Sequence, residues 1–117
     1  MNANKDIQAL ETLTGLPVSP DEYTGTEQKY IVYAYNMENP VFWGDDMVLA
    51  DEAIIQVNLY TPVGFNYMAL KHQIRDYLET LGEVGSIQSW IDTYTSKNNT
   101  EQKIRHTVFT VTITKER

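Results

Sequence analysis

The stretch from Asp51 to Gly82 constrains the fold more than any other part of the chain. Ala53, Ile55, Val57, Leu59 and Thr61 alternate with Ile54, Gln56, Asn58 and Tyr60, the period of a strand, and the first set reads as its buried face. Pro62 ends the run, since proline removes a ladder hydrogen bond. A period of three and four then takes over. Tyr67, Leu70, Ile74, Tyr77, Leu78 and Leu81 share one side of a helix, with Lys71, Arg75 and Glu79 on the other. Asn66 suits the N-cap, Phe65 and Leu70 have the spacing of a hydrophobic staple, and Gly82 closes the helix. The stretch packs, and almost nothing on it reacts.

The flanks fill in the rest of one domain. Residues 1–27 read as an N-terminal helix and loop and residues 28–115 as the α+β core. A short helix is expected over Asn4–Thr14, with the thin apolar stripe of Ile7, Leu10 and Leu13 lying on the rim of something larger; Gly15, Pro17 and Pro20 stop it. Lys29–Asn36 is dense in β-branched and aromatic residues and predicts a strand. Met37–Asp46 reads as a loop, from Asn39-Pro40 and Gly44-Asp45, although Phe42 and Trp43 are a large apolar pair in polar surroundings. Met47–Ala50 suits a brief strand. Ser86–Thr95 and Gln102–Lys115 predict a closing hairpin around the 96–100 turn. The expected fold is α+β: a mostly antiparallel sheet of about four strands, a main helix on one face and a short N-terminal helix.

A chain of 117 residues buries roughly two-thirds of its surface on folding and can hold a core unaided. Its apolar runs fall short of the ~18 residues of a spanning helix, and the polar N-terminus lacks a signal core, which leads to a cytoplasmic site of synthesis. Without cysteine, thiolate chemistry and cysteine-ligated metals are excluded. The net charge of −7 opposes non-specific binding to nucleic acid. That charge is uneven: residues 1–66 carry ten acids and two bases, residues 67–117 six acids and seven bases. This is either ordinary surface variation or a pair of complementary edges suited to head-to-tail contact between copies.

Candidates for chemistry are few. Asp45, Asp46, Asp51 and Glu52 could meet a hard cation, but the spacing fits no calcium loop and equally describes a turn and strand entry. His72 and His106 have no close partner in sequence for a metal site, though each could titrate near neutral pH. There is neither a Gly-x-Ser-x-Gly elbow nor a glycine-rich phosphate loop, and no cofactor is expected. The eight tyrosines suit either sheet packing or an oligomer interface.

The succession Tyr30-Ile31-Val32-Tyr33, Gly44-Asp45-Asp46, Ile55-Gln56-Val57-Asn58-Leu59-Tyr60-Thr61, Tyr77-Leu78-Glu79-Thr80-Leu81-Gly82 and Ile104-Arg105-His106-Thr107-Val108-Phe109 resembles small head–tail connector and tail-completion proteins of long-tailed bacteriophages and prophages, a grouping that includes tail terminators and minor capsid proteins. The likeness covers about residues 28–115. Asn58 departs from it, where many relatives carry an acid, and so does the separate N-terminal helix. The resemblance implies a structural virion protein without catalysis, made in the host cytoplasm and placed at the tail or head–tail junction. It implies a homo-oligomeric ring, commonly a hexamer, that contacts the tail-tube protein and the head connector. DNA would pass an acidic lumen without specific binding, and no membrane is involved. The expected interface residues are Phe42, Trp43, Asp45, Asp46, Lys103 and Arg105. The competing reading is a small α+β ligand-binding or enzymatic domain that uses His106, His72 and the Asp45-Asp46 pair.

Overall fold

A computed structural model describes residues 2–43, 47–95 and 98–116, and of residues 42, 43 and 47–49 the backbone. Its elements are α1 (Asn4–Gln8), α2 (Leu10–Thr14), β1 (Val18–Pro20), β2 (Tyr30–Trp43), β3 (Met47–Pro62), α3 (Met68–Leu81), β4 (Glu83–Val84), β5 (Gln88–Thr95) and β6 (Glu101–Glu116). The strands form one six-stranded sheet in the order β1-β2-β3-β6-β4, with β5 also on β6. Only β1 and β2 run parallel; every other pair is antiparallel. The fold mixes α and β, as expected, but with six strands instead of about four it is dominated by its sheet.

The alternation read in the sequence sets the two faces of that sheet. Ala53, Ile55, Val57 and Leu59 of β3 lie beside Ile31 and Tyr33 of β2 and Phe109, Val111 and Ile113 of β6, all buried. Ile74 and Leu78 of α3 close over them without exposure, and Leu70, Tyr77 and Leu81 pack at the margin. The N-terminal segment belongs to the same cluster. Ile7 and Leu10 are fully buried, so α1 and α2 sit deeper than a rim; Leu13 alone stays exposed. Tyr77 Oη donates to the Asp6 carbonyl (2.6 Å), and Lys115 Nζ meets Asp6 Oδ2 (2.6 Å), tying the helices to one another and to β6.

Four local expectations change. Residues 37–43, read as loop, continue β2, with Asn39 opposite Glu52 and Pro40 opposite Asp51. The turn signals lose because β3 supplies a long apolar partner, and because an edge strand tolerates a proline. The irregularity appears instead as register shifts at Tyr35/Met37 and Val41/Phe42. β1 and β4 were invisible in the sequence, since strands of three and two residues have no period to read. Tyr67, not Asn66, holds the N-cap position of α3, and Asn66 Oδ1 accepts the Met68 N–H (3.2 Å) from one residue further out. Gly82 ends α3 with extended backbone, unlike the left-handed Gly15 (φ 76°). A Cβ at Gly82 would run into the Thr112 carbonyl oxygen, so glycine is needed there for the close approach of α3 to β6.

Candidate functional site

The expected interface residues do not gather in one place. Phe42 and Trp43 end β2, opposite Val48 and Met47, at the tip of the β2–β3 hairpin; Asp45 and Asp46 lie outside the described residues. Lys103 and Arg105 stand near the start of β6, opposite Thr93 and Ile91 of β5. Because β6 runs from Ile104 beside Pro62 to Glu116 beside Ala50, the β2–β3 and β5–β6 hairpins leave the sheet at opposite ends. The molecule is accordingly long, 59 × 27 × 23 Å. The two histidines are also apart. His72 is exposed on α3, whereas His106 points from the sheet face opposite α3. Among the described residues, no group of three or more His, Asp or Glu is placed to hold a metal ion.

The side chains that do gather lie on the helix-free face. Tyr30, Tyr60, His106 and Trp90 are successive register partners on β2, β3, β6 and β5. Their rings form a row: Tyr23 on Tyr30 (4.4 Å between centroids), Tyr30 on Tyr60 (4.9 Å), Tyr60 on His106 (4.4 Å), and Trp90 edge-on to His106 (4.7 Å). Such contacts add roughly 0.5–1.5 kcal/mol per aromatic pair beyond the area they bury. The rings stand on the sheet and stack on one another, so the row ties strands together and offers few open ring faces. Burial raises the phenol pKa of Tyr30 and of Tyr60, and neighbouring tyrosines for the first and Asp92 for the second push the same way.

Beneath the row runs a chain of hydrogen bonds. Asn58, buried, gives its Nδ2–H to the Val32 carbonyl (3.1 Å), which leaves Oδ1 to accept from His106 Nε2–H (2.8 Å). That assignment puts the proton of the neutral ring on Nε2 and turns Nδ1 toward Asp92 Oδ2 (3.3 Å). Asp92 Oδ1 in turn accepts from Trp90 Nε1 (2.7 Å). Burial lowers the His106 pKa from its ordinary 6.5 and outweighs the hydrogen bond and charge of Asp92, which raise it. Near neutral pH the ring is therefore neutral, and its basic nitrogen faces a carboxylate of its own sheet. In that form Nε2–H joins β6 to β3 through Asn58, while Nδ1 hydrogen-bonds the Asp92 carboxylate of β5 only when the ring is protonated. A recess of about 490 Å³ opens nearby between Gln28, Tyr30, Pro62, Tyr94, Gln102 and Lys103, and His106 does not line it.

On the opposite face Arg105 is held by Ser89 (Nη1 to Oγ, 3.1 Å) and lies over the Tyr67 ring (4.8 Å). Tyr67 is shifted to lower pKa, first by its hydrogen bond with Ser89 and then, against some burial, by the Arg105 and Lys71 charges. Sequence reading named Arg105 and His106 but not Asn58, Asp92, Trp90 or Ser89 as their partners. Alternation put Asn58 and Tyr60 on one face, while the register that sets Trp90 beside His106 is visible only after folding.

No protein-family model matches the chain, and no curated protein matches it. One solved structure that resembles it spans 95% of this chain and 96% of its own at 13% identity and a TM-score of 0.39. Likeness at that level carries no argument about fold or function.

Proposed function

We propose that this chain is a non-enzymatic structural protein of a phage or prophage virion. In this reading it is a tail terminator or head–tail joining subunit that works as a homo-oligomeric ring, with a sixfold ring as the leading stoichiometry. The supporting observation is the separation of charge along an elongated body. The β2–β3 hairpin, Tyr30–Pro62, contains five acids and neither lysine nor arginine, while Lys103 and Arg105 stand at the opposite end. A subunit with unlike ends joins its copies head-to-tail, and such contacts close into rings when the rotation allows. The succession of segments resembling tail-completion proteins supports the same reading, as do the engagement of His106 Nε2 by the buried Asn58 and an acidic surface that DNA can pass. Its partners would be the tail-tube protein and the head connector, its place the head–tail junction, and its fold a variant of the α+β pattern of those proteins with extra short edge strands.

Native mass spectrometry and negative-stain microscopy of the purified chain, alone and with the tail-tube protein encoded beside it, test this. Closed rings, free or capping tubes, are expected. A chain that stays monomeric in both samples and leaves tube length uncontrolled refutes it.

A further inference from the structure

We infer that β5 is a pairing edge, at which the β5 strands of two copies of this chain lie antiparallel about a two-fold axis and join their sheets into one. The inference stands apart from the ring reading, since a two-fold contact yields pairs and not rings.

β5 lies at the border of the sheet, with β6 as its one strand partner. Among the described residues, no backbone group of residues 88–95 bonds to backbone outside the β5–β6 ladder. The groups along its outer side are a template for another strand. The usual guards against such addition are missing here: Gln88–Thr95 contains neither proline nor lysine, and its register against β6 is unbroken. Asp92 is its one charged residue. That carboxylate is turned back onto the sheet, beside His106 Nδ1 (3.3 Å) and accepting the Trp90 indole N–H (2.7 Å). Trp90 (40%), Ile91 (45%) and Tyr94 (47%) stand exposed, the first and last on the helix-free face and Ile91 on the other.

The sequence of the strand selects a second copy as its occupant. In a two-fold antiparallel pair, both α3 helices lie on one side of the joined sheet, and residues of one face meet residues of the same face. The allowed registers are therefore centred on single residues. Centring on Ile91 sets Ile91 on its copy, Trp90 beside Asp92 and Ser89 beside Thr93, with no like charges opposed. Centring on Asp92 opposes two carboxylates, which destabilises a cross-strand pair. Centring on Trp90 sets Ile91 against Ser89, whose hydroxyl already holds Arg105. The Ile91 register alone covers the exposed isoleucine with an apolar partner and gives each Asp92 an uncharged neighbour.

Analytical ultracentrifugation and native mass spectrometry of the full chain should show a dimer that dissociates on dilution, because a strand edge is a small interface. Two chains of net charge −7 repel, so raising salt from about 0.05 to 0.5 M should favour the dimer. Ile91→Lys and Ile91→Glu should each weaken it about tenfold or more, and mixing the two should restore it as the mixed pair. Urea midpoints should stay at the parent's value, since Ile91 is exposed. The chain has no cysteine of its own. Under mild oxidation Ile91→Cys should close a disulfide with its copy. Thr93→Cys should not, because its two copies lie about 13 Å apart along the pair. A parent that is monomeric at every concentration, or Lys and Glu variants that dimerise as well as it does, overturns the inference. Loss in both variants without recovery on mixing places a different surface against Ile91 and overturns it too. A disulfide formed between Ile91→Cys and Thr93→Cys, and by neither alone, shows the Asp92 register and overturns the one argued. Rings unchanged in mass by both Ile91 variants leave the ring reading standing while this contact fails. Dimers that follow Ile91, with tube length uncontrolled, leave this contact standing while the ring reading fails.

Discussion

The two hairpins of this sheet are built from similar strands and guarded in different ways. Along β2, beyond the three residues paired with β1, the outer edge carries two register shifts, Pro40 and Glu38, all of which discourage another strand from adding to it. Along β5 the outer edge has no proline and no register shift against β6, and it shows Trp90, Ile91 and Tyr94. The second hairpin is instead held by side chains: Asp92, His106 and Asn58 on one face, Ser89, Thr107 and Arg105 on the other, and Tyr94 to Gln102 near its tip. One hairpin is blunted against strand addition by its backbone, and the other is fixed in place and left apolar at its surface. A chain with one blunted and one open end can join its copies in one direction without pairing at random.

The largest effect should come from β6, the strand both halves share. Phe109 is fully buried opposite Val57, and Phe109→Ala should destabilise the fold by about 3–5 kcal/mol, measured by urea unfolding. Hydrogen exchange should then quicken in both hairpins together; loss confined to one would mean that the halves are separately stable. Asn58→Leu should cost less, about 1–3 kcal/mol, because it strands the Val32 carbonyl and His106 Nε2. Its faster exchange should centre on β5 and β6, leaving the β2–β3 hairpin protected.

A third effect is set by pH. With its folded pKa below 6.5, His106 binds a proton more readily in the unfolded chain. Its share of stability is therefore complete above about pH 6.5 and lost as pH falls from there toward the folded pKa. Proton NMR should show His106 titrating below 6.5, and a value above it would mean that Asp92 outweighs burial. Asn58→Asp, which sets a carboxylate at Nε2, should raise the His106 pKa and weaken or reverse this slope.

How much of this was legible in the sequence follows from the range of the interactions. The faces of β3 and the buried stripe of α3 were readable because both are periodic over many residues, as Val57, Leu59, Ile74 and Leu78 show. The 37–43 segment was misread because Asn39-Pro40 is a local turn signal, whereas its strand depends on β3 across the hairpin. Gly82 looked like a helix stop, and its real constraint comes from Thr112, 30 positions on. The candidate site was least legible. Lys103 and Arg105 could be picked out by charge, but Phe65 read as a staple and Ile91 as an ordinary strand residue, and only the folded chain places the first beside Lys29 and the second beside Arg105.

The smallest expected change in stability tests the comparison most directly. Glu38→Thr with Pro40→Thr restores an ordinary polar edge to β2 and removes no buried side chain, since both residues are exposed. Unfolding free energy should move by no more than about 0.5–1 kcal/mol, the scale of surface and strand-propensity changes. Association should change more. If the proline and the acid are what blunt this edge, the double variant gains a concentration-dependent, salt-resistant self-association through β2, seen by analytical ultracentrifugation as species that differ from the parent's. A matching change on β5, Ile91→Lys with Trp90→Lys, should act in the opposite sense and reduce association, because it adds charge to an edge on which Asp92 is the one charged residue. Equal behaviour of the two edges would mean that the asymmetry between the hairpins is one of shape alone, and that the direction of assembly is set by charge at the two ends.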